Sequence, residues 1–201
     1  SDKFTSIEEL KNSPQDLNTK QTIGLKYYED IKQRIPRNVI ETYDSKFKDI
    51  FKNLLDLKYE IVGSYRRGAS DSGDIDVIFT SDNLQIFDKI IETLKKENII
   101  KETLSKGKHK SMTICKINEE STGRRVDFMI TSKEDYAFAI LYFTGNKDFN
   151  VKMREHAKKI GYTLNEYKFK DVEKIFSSER DIFEFLKLSY VEPSKRNATS
   201  F

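Results

Sequence analysis

The chain has 201 residues, with 36 lysines and arginines against 33 aspartates and glutamates, a net charge of +3. That length suits one large domain or two to three small subdomains, and 37% apolar residues can furnish a core while 34% charged residues demand a heavily charged surface. The single cysteine, Cys115, excludes an internal disulfide and fits a reducing compartment, and with only His109 and His156 beside it the composition argues against a Cys/His zinc site.

The N-terminal stretch SDKFTSIEEL has no signal-peptide character, and Ser6 with Glu9 three residues on predicts a capped helix start. A second helix is predicted across TKQTIGLKYYEDIKQRI. Pro36 ends it, pushes Ile35 out of the helical region and can open the next helix. There Ile40, Tyr43, Phe47, Ile50, Phe51 and Leu54 recur at helical spacing. YEIVGS is predicted as a strand, then comes a Gly/Ser/Arg turn, then the strand DIDVIF. Leu84, Phe87, Ile90, Ile91 and Leu94 mark another helix, and KSMTICKI and RRVDFMI read as strands. Two helices follow, DYAFAILYF and DFNVKMREHAKKIG, the second closed by Gly161, and a last one lies near ERDIFEFLKLSYV. The polar tail EPSKRNATSF is expected to fray, and its Asn197-Ala198-Thr199 sequon is read as a chance match. No apolar run approaches the roughly 20 residues of a membrane span, so no membrane partner is expected. Helices, a strand-rich middle and helices again predict an α+β fold with a central mixed sheet that carries the acidic residues.

Alternation in a strand puts residues i and i+2 on one face, about 7 Å apart along the chain. Asp74 and Asp76 therefore project together, with Ile75 and Val77 toward the core. In RRVDFMI, Val126, Phe128 and Ile130 form one face, and Arg125, Asp127 and Met129 the other. If the two strands are neighbours, three carboxylates cluster, repel and raise one another's pKa, a cost that a divalent cation relieves. Two such ions about 3.5–4 Å apart would serve a phosphoryl displacement. Asp-x-Asp by itself is also common on exposed strand faces. The preceding turn changes the balance, because Gly63-Ser64, Arg67 and Gly73 offer backbone N–H groups, a hydroxyl and a guanidinium to a phosphate.

GSYRRGASDSGDIDV resembles the nucleotidyltransferase signature in the form seen in family X DNA polymerases of the polymerase beta type. IGLKYYEDIKQRIPR, TLSKGKHKSM, RRVDFMI, LYFTGNKDFNVKMREHA and YTLNEY resemble further stretches of that family in the same order, from about residue 5 to 193. The resemblance implies a nucleotidyltransferase palm at 34–133, a nucleotide-selecting subdomain at 134–201 and, at 1–33, a remnant of the duplex-binding helix-hairpin-helix subdomain. It implies that Asp74, Asp76 and Asp127 bind two Mg²⁺ ions, with Mn²⁺ as a substitute, and that Asp127 takes the proton of the primer 3′-hydroxyl. Ser64, Arg67 and Gly73, with Gly63 and Arg34 beside them, would hold the β- and γ-phosphates. Arg125 would sit against the primer-terminal phosphate, a role compatible with a salt bridge to the acidic cluster. Lys106 and Lys110 would approach the DNA backbone, or else form a solvated hairpin edge. Tyr142, Phe143 and Gly145 would face the nucleotide sugar, although alone they read as the apolar end and cap of a helix. Asn150 and Arg154 share a helix face, the first implied to read the incoming nucleotide and the second the template, with Glu166 and Tyr167 in the neighbouring NEY.

Two positions depart from the family pattern: Lys147 stands where an acidic residue is usual, and Val151 where a basic one is usual. The family's lyase segment and the helix-hairpin-helix turn before this stretch are not in the sequence, so weaker DNA grip and no 5′-deoxyribose phosphate removal are expected. The implied activity is template-directed, Mg²⁺-dependent addition of dNTPs to gapped or primer-template DNA by a monomeric intracellular enzyme, nuclear if the source is eukaryotic. Filling short gaps in DNA repair, as in base excision repair, is the implied role. The alternative is a template-independent terminal nucleotidyltransferase, and a DNA-binding module without catalysis is the rival from another class.

Overall fold

The computed structural model describes residues 6–12 and 17–201. Of the expected remnant at 1–33, residues 1–5 and 13–16 lie outside the described residues. The first helix, α1 (Ile7–Asn12), starts where the sequence predicts, with the Glu9 amide donating to Ser6 Oγ at 3.2 Å.

The second predicted helix is broken in two, α2 (Thr19–Lys26) and α3 (Tyr28–Ile31). The break falls at Tyr27, which is buried rather than continuing an exposed helix face. Its ring lies so close to Gly123 that a Cβ there would meet Tyr27 Cδ1 at 2.8 Å, and the Gly123 amide donates to Asp30. Docking onto the chain beyond the helix thus overrides local helix propensity.

Ile35 and Pro36 form a two-residue strand, β1 (Ile35–Pro36), and Pro36 caps α4 (Arg37–Phe51). Ile40, Tyr43, Phe47 and Phe51 of α4 are buried, while Leu54 falls beyond its end. Next come β2 (Lys58–Ile61), a single helical turn α5 (Gly63–Arg66) where a turn was expected, β3 (Asp71–Ser72) paired with β1, and β4 (Ile75–Thr80). After α6 (Ile86–Lys96) come β5 (Ile100–Lys106), β6 (Lys110–Cys115) and β7 (Arg124–Thr131). The five long strands form one sheet in the order β2-β4-β7-β6-β5, antiparallel except for the parallel pair β4·β7. The sheet is therefore mixed, as expected.

One face of this sheet is packed by α4 and α6, which bury Ile75, Val77, Phe79, Val126, Phe128 and Ile130. The other face is covered by α7 (Lys133–Thr144), whose Ala139 and Ile140 pack with Val62 and Ile78. Nearer the N-terminal ends of β4 and β7, that second face carries carboxylates in place of apolar side chains. Beyond the sheet, α7, α8 (Lys147–Lys159) and α9 (Glu179–Phe185) enclose a second core rich in phenylalanine.

The tail corrects an expectation. Instead of fraying, it forms a 3-10 turn at Pro193–Lys195, and Arg196 is fully buried. Arg196 Nη1 donates to Glu179 Oε2 at 2.6 Å, and Nε donates to the Val191 carbonyl at 2.9 Å. Glu179 is buried as well, and Arg66 binds its other oxygen at 2.6 Å, so one carboxylate from α9 holds the palm turn and the C-terminal tail together. Burial of a carboxylate demands such partners, and here the tail supplies one.

Candidate active site

Parallel pairing sets Asp76 of β4 opposite Asp127 of β7. Asp74 precedes β4 rather than lying in it, yet one oxygen from each of Asp74, Asp76 and Asp127 falls within 4.8 Å of the others. Asp74 is exposed, and the other two are half-buried. Burial, and after it the charges of Asp74 and Asp127, push the Asp76 carboxyl up to about 7. Although Asp74 is exposed as a residue, partial desolvation of its carboxyl by the surrounding turn, and after it the charge of Asp127, also raise Asp74 above its ordinary value. Such a cluster, three hard oxygen donors opposing one another's charge, fits a divalent cation.

Cations border the cluster. Arg125 Nη2 donates to Asp127 Oδ1 at 2.7 Å, and the charges of Lys110 and Arg125 favour ionised Asp76. Gly63 has φ +67, and a Cβ there would stand 3.6 Å from Asp76 Oδ2, so the chain comes close to the carboxylate in a conformation that suits glycine. Ser64 Oγ lies 2.6 Å from Ser72 Oγ, which ties α5 to β3. Gly73 leaves room for Arg34, whose Nη1 would be 3.2 Å from a Cβ there. The Arg34 guanidinium itself grips Asp71 Oδ1 at 2.8 and 3.0 Å. Arg67 Nη1 donates to the Thr144 carbonyl at 2.7 Å.

That contact joins the palm turn to the bend between α7 and α8, where Gly145 has φ +65 and the Gly145–Asn146 peptide is cis. Tyr142 and Phe143 stack edge to face at 4.9 Å on this bend. Asn150 Nδ2 donates to the Tyr142 carbonyl at 2.8 Å, and Tyr142, Asn150 and Arg154 line one small cavity with Leu164 and Asn165. Lys147 and Val151 are exposed on the same helix. Two expected residues stand on the periphery. Lys106 extends from β5 toward Glu92 at 3.9 Å, and Tyr167 is exposed in the loop bridged by Leu164 and Phe169.

Sequence reasoning passed over Arg66, Glu179, Arg196 and Thr144. Arg66 Nη1 donates to Thr144 Oγ1 at 2.9 Å as well as to Glu179. Apart from nearby Glu60, its partners are so distant in sequence that no local spacing announces them. Arg37 was missed too, although it is the second arginine of the RIPR stretch and opens α4.

Comparison with known proteins agrees with this layout. The DNA polymerase beta palm family model matches residues 34–133 and the DNA polymerase beta thumb model residues 139–197. DNA polymerase lambda of Arabidopsis thaliana is 28% identical over 221 residues, and that of Rattus norvegicus 27% over 219, each alignment covering 96% of this chain. DNA nucleotidylexotransferase of Xenopus laevis is 29% identical over 241 residues, covering 97% of the chain. The matched stretch spans 42%, 38% and 48% of those three relatives' own lengths, so the chain corresponds to less than half of each. With palm and thumb matched in sequence order over a mixed sheet that gathers three carboxylates, the chain belongs to the polymerase beta-like family X of DNA polymerases.

Proposed function

We propose that this chain is the polymerising core of a template-directed DNA polymerase that fills short gaps in DNA repair. The observation that carries the reading is the three-carboxylate cluster on adjacent parallel strands, in a chain matched by both palm and thumb models. In the reaction, the primer 3′-oxygen forms a bond to the α-phosphorus of a dNTP, the bond from that phosphorus to the β-bridging oxygen breaks, and pyrophosphate leaves. Asp74, Asp76 and Asp127 would hold two Mg²⁺ ions, with Mn²⁺ as the expected substitute. When bound, the ions supply stabilisation of the attacking and leaving oxygens.

The chain's own groups position and neutralise. Asp127 accepts the proton of the 3′-hydroxyl as the oxygen attacks. Ser64, Arg67 and Gly73 hold the β- and γ-phosphates, with Gly63 and Arg34 adjoining, so that the leaving group's charge is met as it develops. Arg125 pairs with the primer-terminal phosphate. Tyr142, Phe143 and Gly145 contact the sugar, and Asn150 the base edge, while Arg154, Tyr167, Lys106 and Lys110 hold DNA.

A second reading, untemplated transfer, draws support from the 29% identity to DNA nucleotidylexotransferase and from Lys147 and Val151 on the helix that carries Asn150. Primer extension on a one-nucleotide gap with Mg²⁺, each dNTP supplied separately, separates the two. Addition of the templated nucleotide alone, lost in Asp127→Ala, is the expected result. Addition of all four regardless of template makes the enzyme a terminal transferase, and full activity in Asp127→Ala removes both readings.

A further inference from the structure

The loop that would hold the triphosphate is itself held from behind by one side chain. Arg37, the first residue of α4, sends Nη1 to the Tyr65 carbonyl at 2.7 Å and to the Ala69 carbonyl at 3.2 Å. Its own backbone amide donates to the Ser70 carbonyl at 2.9 Å. The guanidinium lies over the Tyr65 ring, 4.3 Å from its centroid, and Glu41 steadies it from the next helical turn at 3.5 Å.

The need for this brace follows from the backbone. A single helical turn such as α5 ends in carbonyls with few partners inside so short a helix. Here the chain must then reverse at Gly68, with φ +87, to bring Ser72 back beside Ser64. The Gly68 and Ala69 amides close part of the turn onto Tyr65 and Ser64, and Arg37 adds a second donor to the Tyr65 carbonyl and donors to the carbonyls of Ala69 and Ser70. A planar fork can bridge two carbonyls and stack on a ring at once, which a lysine ammonium cannot.

We propose that Arg37 is a positioning residue for the nucleotide's β- and γ-phosphates. It touches no substrate. By tying the Tyr65, Ala69 and Ser70 carbonyls to the start of α4, it fixes the spacing between Ser64 and Arg67 on one arm of the loop and Gly73 on the other. The inference rests on the nucleotidyltransferase reading above, and it assigns the precision of phosphate binding to a group outside the binding surface.

The test uses Arg37→Ala and Arg37→Lys in steady-state gap filling, with dNTP KM, kcat, inhibition by pyrophosphate, gapped-DNA affinity and the melting temperature measured together. Loosening of a preorganised charged site predicts that KM for dNTP and the inhibition constant of pyrophosphate each rise about tenfold or more in both variants. DNA affinity should stay within about twofold, because phosphate contacts of the DNA strands lie on other elements. A general structural role predicts something else: kcat, DNA affinity and melting temperature fall together, or Lys restores the wild-type KM. Either of those results, or unchanged KM and pyrophosphate inhibition in Arg37→Ala, overturns the proposal. Wild-type protein that neither extends primers nor is inhibited by pyrophosphate overturns the nucleotidyltransferase reading itself, and this inference with it.

Discussion

Near pH 7 the Asp76 carboxyl is divided between two charge states, because burial and two adjacent carboxylates oppose its ionisation. Its folded value lies above the ordinary aspartate value of about 4. Without a cation, its contribution to stability is therefore fully present below about pH 4 and is lost as pH rises through about 7. Asp76→Asn should then be more stable than wild type in the absence of Mg²⁺, by roughly 1 kcal/mol at pH 8 and by less at pH 5, while primer extension disappears. Mg²⁺ should raise the wild-type melting temperature and leave the variant's unchanged. Thermal melts across pH with and without Mg²⁺ check this, and a variant that melts lower at pH 8 contradicts it. Asp76 and Asp127 were legible in the sequence because strand alternation and the apolar partners Ile75, Val77, Val126 and Phe128 define which face each occupies, and Asp74 joins them from the residue just before β4. Arg37 and Arg66 were not, since beside the local pairs with Glu41 and Glu60 the contacts that place them go to backbone carbonyls and to a glutamate far along the chain, for which no spacing rule exists.

At the scale of elements, the hairpin β5–β6 tests the proposed grip on DNA. Its two predicted contacts differ in setting: Lys110 is close enough to the cluster for its charge to favour ionised Asp76, whereas Lys106 points toward Glu92. Replacing both by alanine should weaken DNA binding and flatten its salt dependence by a slope of about 2, the loss of two phosphate contacts. Titrations from low to physiological salt check it, and an unchanged slope means the hairpin is a solvated edge. The hairpin was foreseen from its lysines, but β5 was not foreseen as a seven-residue strand. It is an edge strand with two register shifts against β6, and half-buried Lys101 and Glu102 blur the alternation that marks β4 and β7. The broken helix α2–α3 was misread for the opposite reason. Local propensity favours one helix, and burial of Tyr27 against Gly123 decides otherwise.

For the whole molecule, half-buried Arg66 and the buried charges Glu179 and Arg196 connect the palm turn, the second core and the tail. Burial alone would raise Glu179, but hydrogen bonds and charge from the two arginines outweigh it and hold the carboxyl below its ordinary value. A lowered carboxylate contributes stability above its unfolded value of about 4.3, and that contribution is lost as pH falls through the folded value. Glu179→Gln should cost roughly 3–5 kcal/mol at neutral pH, because buried Arg196 loses its counter-charge and half-buried Arg66 keeps only Glu60. The variant should also lack the part of wild-type acid destabilisation that sets in below about pH 4. Denaturant unfolding at several pH values checks both, and a loss below about 1 kcal/mol contradicts the role given to Glu179. Sequence reading treated the tail as loose because its residues are polar, and polarity does not reveal that one of them completes a buried ion triad.

Asp76 and Asp127 meet across the one parallel pairing of the sheet, and β7 lies at the centre of the strand order although it is the last strand made. No hairpin can form that pairing, and it must wait until β7 inserts between β4 and β6. During synthesis, a chain that ends short of Arg124 holds two of the three carboxylates, and both β4 and β6 still present an unpaired edge. Such edges are where newly made chains aggregate and where chaperones act. The strand that completes the chemistry is therefore also the strand that ends the chain's most hazardous interval on the ribosome.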